Sequence, residues 1–516
     1  MKQSGIFLFS AVLATCIVFG NSSTNGQTVP SLQIKEASEP ILSSSNGTPR
    51  STKVQAIVVS SLSRPVDSVA LYLSVPKYVA ILLAKIGEVE VGRLSPSSLA
   101  NQTNALELAI DAKESESALK KSQELSIWII PSSEAAPDKT LDIGVLSLTS
   151  GDEKITFDAP PLHYRFGVLV RDSGWDSVKG YRIPGVVRSV KGALIAVYDA
   201  RHESYVDLPA NIDIGCSRSF DNGRTWEPMR IAMNIHGEDE KLEGVGDPAI
   251  LVDPSNGRIW LAALWAHNGK SLAASKPGLL LGESGQFVVS YSDDEGATWS
   301  QPRNITEELG IGRKWRILFQ GPGCGITTRD GKFVFPAQYL DEDGSFFSTI
   351  VWSDDHGKTW HSGEGARKST CESQVVELND GSLMLNMRNY GKGAPLSRSV
   401  AITKDMGKTW IEHETSCKAL PCPICQASLI TVRSRANGDK DNLLAFMNPC
   451  STSGRTDMRI QLSEDEGKTW SRSLTLYKPA GFGYSSLTRL DANTIGALYE
   501  TYGGLIYQTI RVEEIK

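Results

Sequence analysis

The stretch that decides the fold is Ser463-Glu464-Asp465-Glu466-Gly467-Lys468-Thr469-Trp470, because its pattern is repeated. The pattern Ser/Thr-x-Asp-x-Gly-x-Thr-Trp occurs five times, and its third-position Asp residues are 73, 61, 50 and 60 residues apart. The other copies are residues 219–226, 292–299, 353–360 and 403–410. Self-similar units at such intervals predict a propeller or a solenoid.

Each copy has the chemistry of a tight turn between two strands. Asp and Ser/Thr side chains can hydrogen-bond the amides of a turn, and Gly adopts a positive φ without strain. The Thr-Trp pair then resumes a strand and supplies a large apolar anchor. We therefore interpret the repeat as a self-capping hairpin turn with an architectural role, which makes Asp465 a poor candidate for catalysis.

Composition and net charge are those of a globular protein and argue against nucleic-acid binding. The 516 residues leave room for more than one domain, and 40% hydrophobic with 22% charged residues is ordinary for a globular protein. A net charge of −6 provides no basic surface for nucleic acid. A site for an anionic ligand would have to be built locally from Arg and Lys side chains.

The N-terminus predicts export. Lys2 precedes an apolar run at residues 6–20, which is typical of a signal peptide, and we assign it to residues 1–26. The run is short for a membrane span, and no second apolar run of that length follows. Leu13-Ala14-Thr15-Cys16 resembles a lipoprotein box, although Thr before Cys fits poorly. The expected location is secreted or periplasmic, with a surface lipoprotein left open if Cys16 is lipidated.

The cysteines do not form an obvious framework. Seven remain after the signal peptide, an odd number that argues against complete disulfide pairing. Cys417, Cys422 and Cys425 cluster, and either a local disulfide or buried thiols is favoured over zinc. A zinc site would need a second ligand pair at suitable spacing, and His413 is a single candidate. No metal and no cofactor are predicted.

The chain divides into two regions with different sequence patterns. Residues 27–160 show short alternating strands, a charged segment at 105–121 with some helical character, and no copy of the repeat. We predict a small β-sandwich accessory domain there, either carbohydrate-binding or a spacer. Residues 161–516 are short strands separated by turns, which favours four-stranded blades. The fold class is therefore all-β, with a six-bladed β-propeller whose boxless blade joins strands from both ends of the domain.

Several arginines lie where such a domain would bring them together. Arg182 stands in Tyr181-Arg182-Ile183-Pro184, just before a strand, and Arg201 follows the strand at residues 193–198. Arg388 ends another strand, and Arg455 lies in a polar loop. Because the loops between blades converge on one face of the axis, these guanidinium groups can meet. The same loops contain Asp207, Glu372 and Tyr484.

These features resemble the sialidases, also called neuraminidases. The repeat is similar to their Asp box, and Tyr-Arg-Ile-Pro is similar to their Phe/Tyr-Arg-Ile-Pro motif. The resemblance covers about residue 162 to the C-terminus. Asp boxes alone are only moderately specific, because non-enzymatic propellers carry them too. Five boxes together with the motif and the ordered Asp, Glu, Arg, Arg and Tyr make the resemblance strong.

The resemblance implies that Arg182, Arg388 and Arg455 hold the carboxylate of sialic acid. The chemistry is consistent with that role, because Arg is permanently charged and its planar fork fits a carboxylate in bidentate fashion. Three such groups also explain how an acidic protein could bind an acidic sugar, since the weak overall charge is screened within about 10 Å at ordinary salt.

The resemblance also implies the catalytic groups. Asp207 matches the general acid/base; Asp199 lies close by, but the spacing behind Arg182 and Arg201 favours Asp207. Tyr484 matches the nucleophile and Glu372 its base, an exception among retaining glycosidases. A neutral phenol suits this substrate, because the anomeric carbon bears a carboxylate that would repel an anionic nucleophile.

Three further positions follow from the resemblance. Arg201 and Asp247 match residues that contact the hydroxyl and N-acetyl groups of the sugar, and Glu500 matches an acid that orients Arg182. Each could equally be a structural ion-pair partner.

The function expected from the resemblance is a retaining exo-α-sialidase acting on sialylated glycans. A trans-sialidase of the same fold is the nearest alternative, and product analysis separates the two. A non-catalytic sialoglycan-binding propeller is less favoured, because a lectin need not keep Tyr484, Glu372 and Asp207 beside the arginines. Linkage preference and oligomeric state are not predicted.

Overall fold

The computed structural model describes residues 18–19, 33–36, 39–59, 62, 64–95, 104–235 and 243–516. The predicted signal peptide therefore lies outside the described residues except at residues 18–19. Strands dominate the described part, which confirms the predicted all-β class. Its helices are the α-helices Ala112–Leu119 and Thr306–Leu309 and the 3-10 turns Pro76–Tyr78, Trp175–Ser177, Arg435–Asn437 and Val512–Glu514. None of these helices is long and apolar enough to cross a lipid bilayer.

The chain divides into two compact units. The first comprises residues 1–167 and 477–480, and the second residues 168–476 and 481–516. In the first unit, one sheet contains Val18–Phe19, Gln33–Glu36, Thr52–Val58, Glu124–Pro131, Val79–Ile86 and Val89–Leu94. The other strands of this unit are Ile41–Ser44, Ser68–Leu73, Ala105–Ala109, Thr140–Ser150, Glu153–Thr156 and the start of Leu162–Arg171.

In the described part of the first unit, the two sets of strands share an apolar core. Ile127 and Leu82 from the first sheet share it with Leu71 and Leu148 from the other strands, and all four are fully buried. The burial of alternate residues, as in Ser68–Leu73, follows from the period of two that a strand imposes. The helix predicted within residues 105–121 is present at Ala112–Leu119, where the Asp111 side chain accepts hydrogen bonds from the first-turn amides.

Six sheets, numbered here along the chain, make up the described part of the second unit. Sheet 1 contains Gly180–Arg188, Leu194–Arg201, Ile212–Ser219 and Arg230–Met233. Sheet 2 contains Gly244–Val252, Ile259–Ala266, Gln286–Ser292, Arg303–Asn304 and Gly323–Cys324. Sheet 3 contains Ile317–Gln320, Ile326–Thr327, Phe333–Leu340, Phe346–Ser353, His361–Ser362 and Arg367–Lys368.

The remaining three sheets each have four main strands. Sheet 4 contains Thr370–Glu377, Leu383–Asn389, Arg398–Thr403 and Ile411–Glu412. Sheet 5 contains Ser428–Arg433, Leu443–Pro449, Met458–Ser463 and Arg472–Tyr477. Sheet 6 contains Ser485–Asp491, Thr494–Glu500 and Leu505–Arg511, and its fourth strand is the end of Leu162–Arg171. Residues 168–171 pair with Leu505–Arg511, so this sheet joins strands from both ends of the unit.

Neighbouring sheets pack through their first long strands. Gly180–Arg188 contacts both Gly244–Val252 of sheet 2 and Ser485–Asp491 of sheet 6. Thr370–Glu377 of sheet 4 contacts Phe333–Leu340 of sheet 3, and Ser428–Arg433 of sheet 5 contacts its neighbours on both sides. The sequence of contacts therefore returns from the last sheet to the first.

The Asp box forms the self-capping turn that its sequence predicts. In the first copy, Ser219 Oγ donates to Asp221 Oδ1 at 2.9 Å and accepts from the amide of Gly223 at 2.8 Å. Asp221 also accepts from the amide and hydroxyl of Thr225, at 2.9 and 2.6 Å. Trp226 is buried and packs on Tyr507, with ring centroids 5.2 Å apart. The same bonds recur in the other four boxes.

Candidate active site

Arg182 lies on a bulge in the first strand of sheet 1. Pairing with the second strand shifts register between Arg182 and Gly185, and Ile183 between them has a positive φ of 57°. The sequence pattern predicted Arg182 just before this strand, whereas the residue lies within Gly180–Arg188. The bulge redirects the chain at this point, as bulges do beside functional sites.

Glu500 is the buried acceptor behind Arg182. Its carboxylate accepts from Arg182 Nε at 3.2 Å and Nη2 at 3.4 Å. It also accepts from the amide of Ile183 at 2.7 Å and from the amide of Tyr484 at 2.8 Å. One carboxylate therefore fixes the Arg182 bulge and the backbone of Tyr484 relative to each other.

Tyr484 immediately precedes the first strand of sheet 6, and its hydroxyl lies between two charged groups. The hydroxyl donates to Glu372 Oε1 and accepts from Arg388 Nη1 at 3.0 Å. The same Arg388 nitrogen donates to Glu372 Oε2 at 2.6 Å. Burial and the neighbouring Glu372 charge hold the pKa of Tyr484 well above its ordinary value, although Arg388 acts in the opposite direction. The resting side chain is therefore a neutral phenol bonded to a carboxylate that can accept its proton.

The three arginines singled out in the sequence surround Tyr484. The guanidinium carbons of Arg182 and Arg455 lie 5.2 and 5.7 Å from the centroid of its ring, and Arg388 contacts its hydroxyl. Arg455 Nη1 donates to the carbonyl of Phe482 at 2.7 Å. Within the part of the chain that the structure describes, Arg388 Nε is buried without a hydrogen-bond partner. This cluster of fixed positive charge suits an anionic ligand.

Asp207 is the exposed acid of the site. Its side chain is 79% exposed, and its carboxylate lies 2.8 Å from Arg201 Nη1 and 3.5 Å from Arg182 Nη1. Partial desolvation acts to raise the pKa of Asp207, but the charges of Arg201 and Arg182 outweigh it and hold the pKa below its ordinary value.

The nearby Asp199 differs from Asp207 in accessibility. Asp199 is only 1% exposed, and its carboxylate accepts from Arg201 at 2.8 Å and from the amide of Asp247 at 2.9 Å. Both oxygens are thus committed to neighbouring groups. Of these two acids, Asp207 is the one that a ligand can reach.

Arg201 and Asp247 are more tightly held than the sequence suggests. Arg201 is almost completely buried and donates to Asp199 and to the carbonyl of Tyr205, at 2.8 and 2.7 Å. Asp247 has a positive φ of 58°, and its carbonyl accepts from Gln320. Burial, together with the negative charges of Asp199 and Asp207, holds the pKa of Asp247 well above its ordinary value.

Two residues beside Tyr484 were missed in the sequence. Phe482 packs under Arg182, whose guanidinium carbon lies 4.4 Å from its ring centroid. Cys425 is buried, and its thiol donates to the carbonyl of Gly483 at 3.4 Å. The aromatic-Gly-Tyr triplet was a signal for Phe482, whereas no local pattern connects Cys425 with residue 483.

The thiols of the second unit are not paired. Cys216, Cys324, Cys371, Cys417, Cys422, Cys425 and Cys450 are all free. The sequence left two interpretations of the cysteine cluster at residues 417–425, a local disulfide or buried thiols. The structure has thiols there and not a disulfide. Among the described residues, no group of His, Cys, Asp and Glu is arranged to hold a metal ion.

The six-sheet unit and its arginine-lined tyrosine define the class of the protein, and comparison with known proteins agrees. A model of the BNR repeat-like domain matches residues 192–498. A sialidase of Bacteroides fragilis (strain YCH46) is 42% identical over 403 residues, covering 76% of this chain and 73% of that protein. A sialidase of Micromonospora viridifaciens is 32% identical over 343 residues, covering 65% of this chain and 52% of that protein.

A solved structure extends the similarity to almost the whole chain. The Hadza microbial sialidase superposes with a TM-score of 0.82 at 33% identity, covering 94% of this chain and all of that one (100%). The chain belongs to the sialidase family with BNR repeats.

Proposed function

We propose that this protein is a retaining exo-α-sialidase that hydrolyses terminal sialic acids from glycoconjugates. The observation that carries the proposal is the tyrosine hydroxyl bonded to both Glu372 and Arg388, within a cluster of three guanidinium groups. A buried phenol whose proton a neighbouring base can accept can act as a nucleophile toward an electrophilic carbon. The guanidinium groups favour a substrate that carries a carboxylate. Sialic acid meets both requirements at its anomeric carbon.

The proposed architecture is a six-bladed β-propeller preceded by a β-sandwich. The return of the sheet contacts from sheet 6 to sheet 1 supports a closed propeller. The common core of the first unit supports the sandwich. In this arrangement the first strand of each blade lines the axis, and Arg182, Arg388, Arg455 and Tyr484 reach it from four different blades.

The substrate carboxylate would bind Arg182, Arg388 and Arg455. These side chains keep donors near Tyr484 that the protein does not fully use, including the buried Arg388 Nε. Glu500 and Phe482 hold Arg182 from behind and from one face, so its orientation is set before substrate arrives. Such preorganisation avoids the cost of ordering the arginine during the reaction.

In the first chemical step, Tyr484 attacks the anomeric carbon. Its proton passes to Glu372 as the Tyr Oη–C2 bond forms, and the bond from C2 to the leaving oxygen breaks. Asp207 donates its proton to that oxygen. Bound substrate would raise the pKa of Asp207, because its carboxylate offsets the arginine charges that lower that pKa in the resting protein.

In the second step, water replaces the tyrosine. Asp207, now a carboxylate, takes a proton from water as the water oxygen bonds to C2 and the Tyr Oη–C2 bond breaks. Glu372 returns its proton to Tyr484. Two displacements at one carbon retain the α configuration. All these groups belong to the chain itself.

Arg201 has a positioning role in this proposal. It is bonded to Asp199, to Tyr205 and to Asp207, and its burial leaves little surface for sugar. It would therefore fix the Asp207 loop. Asp247, whose raised pKa favours the protonated form, stays the candidate for contact with a polar group of the sugar.

We also propose that the protein is exported, on the evidence of Lys2 and the apolar residues 6–20. Export would place the site where sialylated glycoproteins and oligosaccharides are encountered.

The deciding experiment is turnover of sialyllactose by the wild type and by Tyr484→Phe. We expect kcat to fall by at least about a thousandfold, because the nucleophile is removed while the fold is kept. The matched control is Tyr499→Phe, which removes another buried hydroxyl of sheet 6, bonded to Gln508 at 3.0 Å, and should retain activity. Incubation with 2,3-difluorosialic acid should add the mass of the inhibitor less HF to the wild-type peptide containing Tyr484, because fluoride leaves C2 as the Tyr Oη–C2 bond forms and the phenol loses its proton. Near-full activity of Tyr484→Phe, or an adduct on another residue, would refute the mechanism, and release of anhydro sugar or sialylated acceptor in place of free sialic acid would refute hydrolysis.

A further inference from the structure

Three aromatic side chains form a continuous strip beside Asp207. The ring centroids of Tyr205 and Phe482 are 5.3 Å apart, and those of Phe482 and Tyr502 are 5.6 Å apart. The Arg182 guanidinium lies on Phe482, 4.4 Å from its centroid. This aromatic strip, consisting of Tyr205, Phe482 and Tyr502, therefore has its central ring against the arginine cluster.

The Tyr205 end of the strip is held in place by its neighbours. The Tyr205 hydroxyl lies 2.8 Å from Ser173 Oγ, and the Tyr205 backbone carbonyl accepts a hydrogen bond from Arg201 at 2.7 Å. Its ring packs against Gly180 and Gly503, where an added Cβ would lie 2.1 and 2.5 Å from the tyrosine. Two glycines thus leave space for one ring in one position, so the surface exists before any ligand binds.

The outer end of the strip is open to solvent. Tyr502 is 59% exposed although it packs on Phe482. Aromatic side chains normally bury most of their surface, and an exposed one held in a row of others offers an apolar face with a polar edge. Such a face suits the C–H face of a pyranose ring, whose hydroxyls stay at its edge.

We propose that the aromatic strip is the subsite for the leaving sugar, the neutral pyranose to which sialic acid is attached. The inference rests on the proposed function. Sialic acid bears its carboxylate and its glycosidic oxygen on the same carbon. A carboxylate bound to Arg182 therefore places the leaving sugar near Arg182, and Asp207 must reach the oxygen that joins the two sugars.

The position of the strip meets both conditions. Its central ring lies against Arg182, and Asp207 follows Tyr205 by two residues with its carboxylate exposed. Tyr502 follows Glu500 by two residues, so the buried acid that orients Arg182 also fixes the start of the loop carrying the outer ring. The leaving sugar would stack along Phe482 and Tyr502.

The test compares two substrates that differ only in the leaving group. Sialyllactose carries a leaving sugar, whereas α-sialyl fluoride carries none. For Tyr502→Ala we expect the ratio of kcat/KM for sialyllactose to that for the fluoride to fall about tenfold, the size of one aromatic contact. Tyr502→Phe keeps the ring face and should keep the ratio.

The matched control is Phe220→Ala. Phe220 is also 59% exposed, but it lies in the first Asp box, at the opposite end of sheet 1 from Arg201, since Ser219 pairs with Leu194 and Arg201 with Ile212. Its loss should leave both substrates unaffected. An unchanged ratio in Tyr502→Ala, or an equal loss in Tyr502→Phe, overturns the stacking subsite alone. A wild type that hydrolyses neither substrate overturns the proposed function, and this subsite with it.

Discussion

At the scale of single residues, the site depends on side chains that hold other side chains. The Glu500 carboxylate bonds one guanidinium and two backbone amides from segments about 300 residues apart in sequence. Arg201 holds Asp207 in the same way from a buried position. The groups proposed to react are few, and their geometry is set by these fully bonded neighbours.

Glu500→Gln tests this dependence. The amide keeps the shape of the side chain but leaves the buried Arg182 without its main counter-charge, so we expect the free energy of unfolding to fall by about 3 kcal/mol. Urea unfolding measures the loss, and kcat/KM for sialyllactose should fall with it. Glu513→Gln, at an exposed pair with Arg511, should change stability by less than about 0.5 kcal/mol. Equal stability of Glu500→Gln and the wild type would contradict the assigned role.

At the scale of elements, the Asp box is a turn whose polar side chains are hydrogen-bonded within the box itself. Its Ser/Thr, Asp and Thr side chains satisfy the turn within eight residues, and its Trp anchors the turn on the sheet. Because these bonds are local, the same eight-residue pattern can recur in five sheets whose other residues differ.

The box makes a prediction about acid stability. Burial acts to raise the pKa of Asp355, but hydrogen bonds from Thr359 and Ser353 lower it to about 2 from its ordinary 3.8. A lowered pKa stabilises the fold above pH 4, and this contribution is lost as the pH falls through about 2. Asp355→Asn should therefore cost about 1 kcal/mol at pH 7, after discounting for solvent screening, and about half as much at pH 3.

Urea unfolding of wild type and variant at the two pH values measures this change. The control is Asp354→Asn, the exposed neighbour in the same box, which should cost less than about 0.5 kcal/mol at either pH. A cost for Asp355→Asn that does not depend on pH would mean that the carboxylate charge does not stabilise the turn.

At the scale of the whole second unit, strand pairing in sheet 6 brings the beginning and the end of this unit together. Ile506 pairs with Tyr499 on one side and with Leu169 on the other. This strand therefore links the chain before sheet 1 to the other strands of sheet 6. Arg182 and Glu500, on sheets 1 and 6, meet only because this closure occurs.

Proline substitution tests the closure. Ile506→Pro removes a ladder amide from the middle of the sheet, and we expect a loss of at least about 3 kcal/mol and loss of sialidase activity. Ile411→Pro is the control, because Ile411 is 70% exposed on the two-residue edge strand of sheet 4, where proline is tolerated better. Thermal unfolding compares the two. Equal costs would show that closure through Ile506 adds nothing to the stability of the unit.

The sequence by itself determined the all-β class, the position of the repeated turns and the family. These features depend on contacts within eight residues or on motifs that keep their order along the chain. The arginines, Tyr484 and Glu372 could be named from that order, although their mutual distances could not be.

Only the tertiary structure decided which polar groups are accessible to a ligand and which are already hydrogen-bonded within the protein. Asp199 and Asp207 are the same residue type at nearby positions in the sequence. Asp199 is buried and hydrogen-bonded, whereas Asp207 is exposed. Cys422 and Cys425 are thiols, and Tyr205, Phe482 and Tyr502 form one surface. Burial and long-range contact arise from the packing of six sheets, so no local pattern in the chain specifies them.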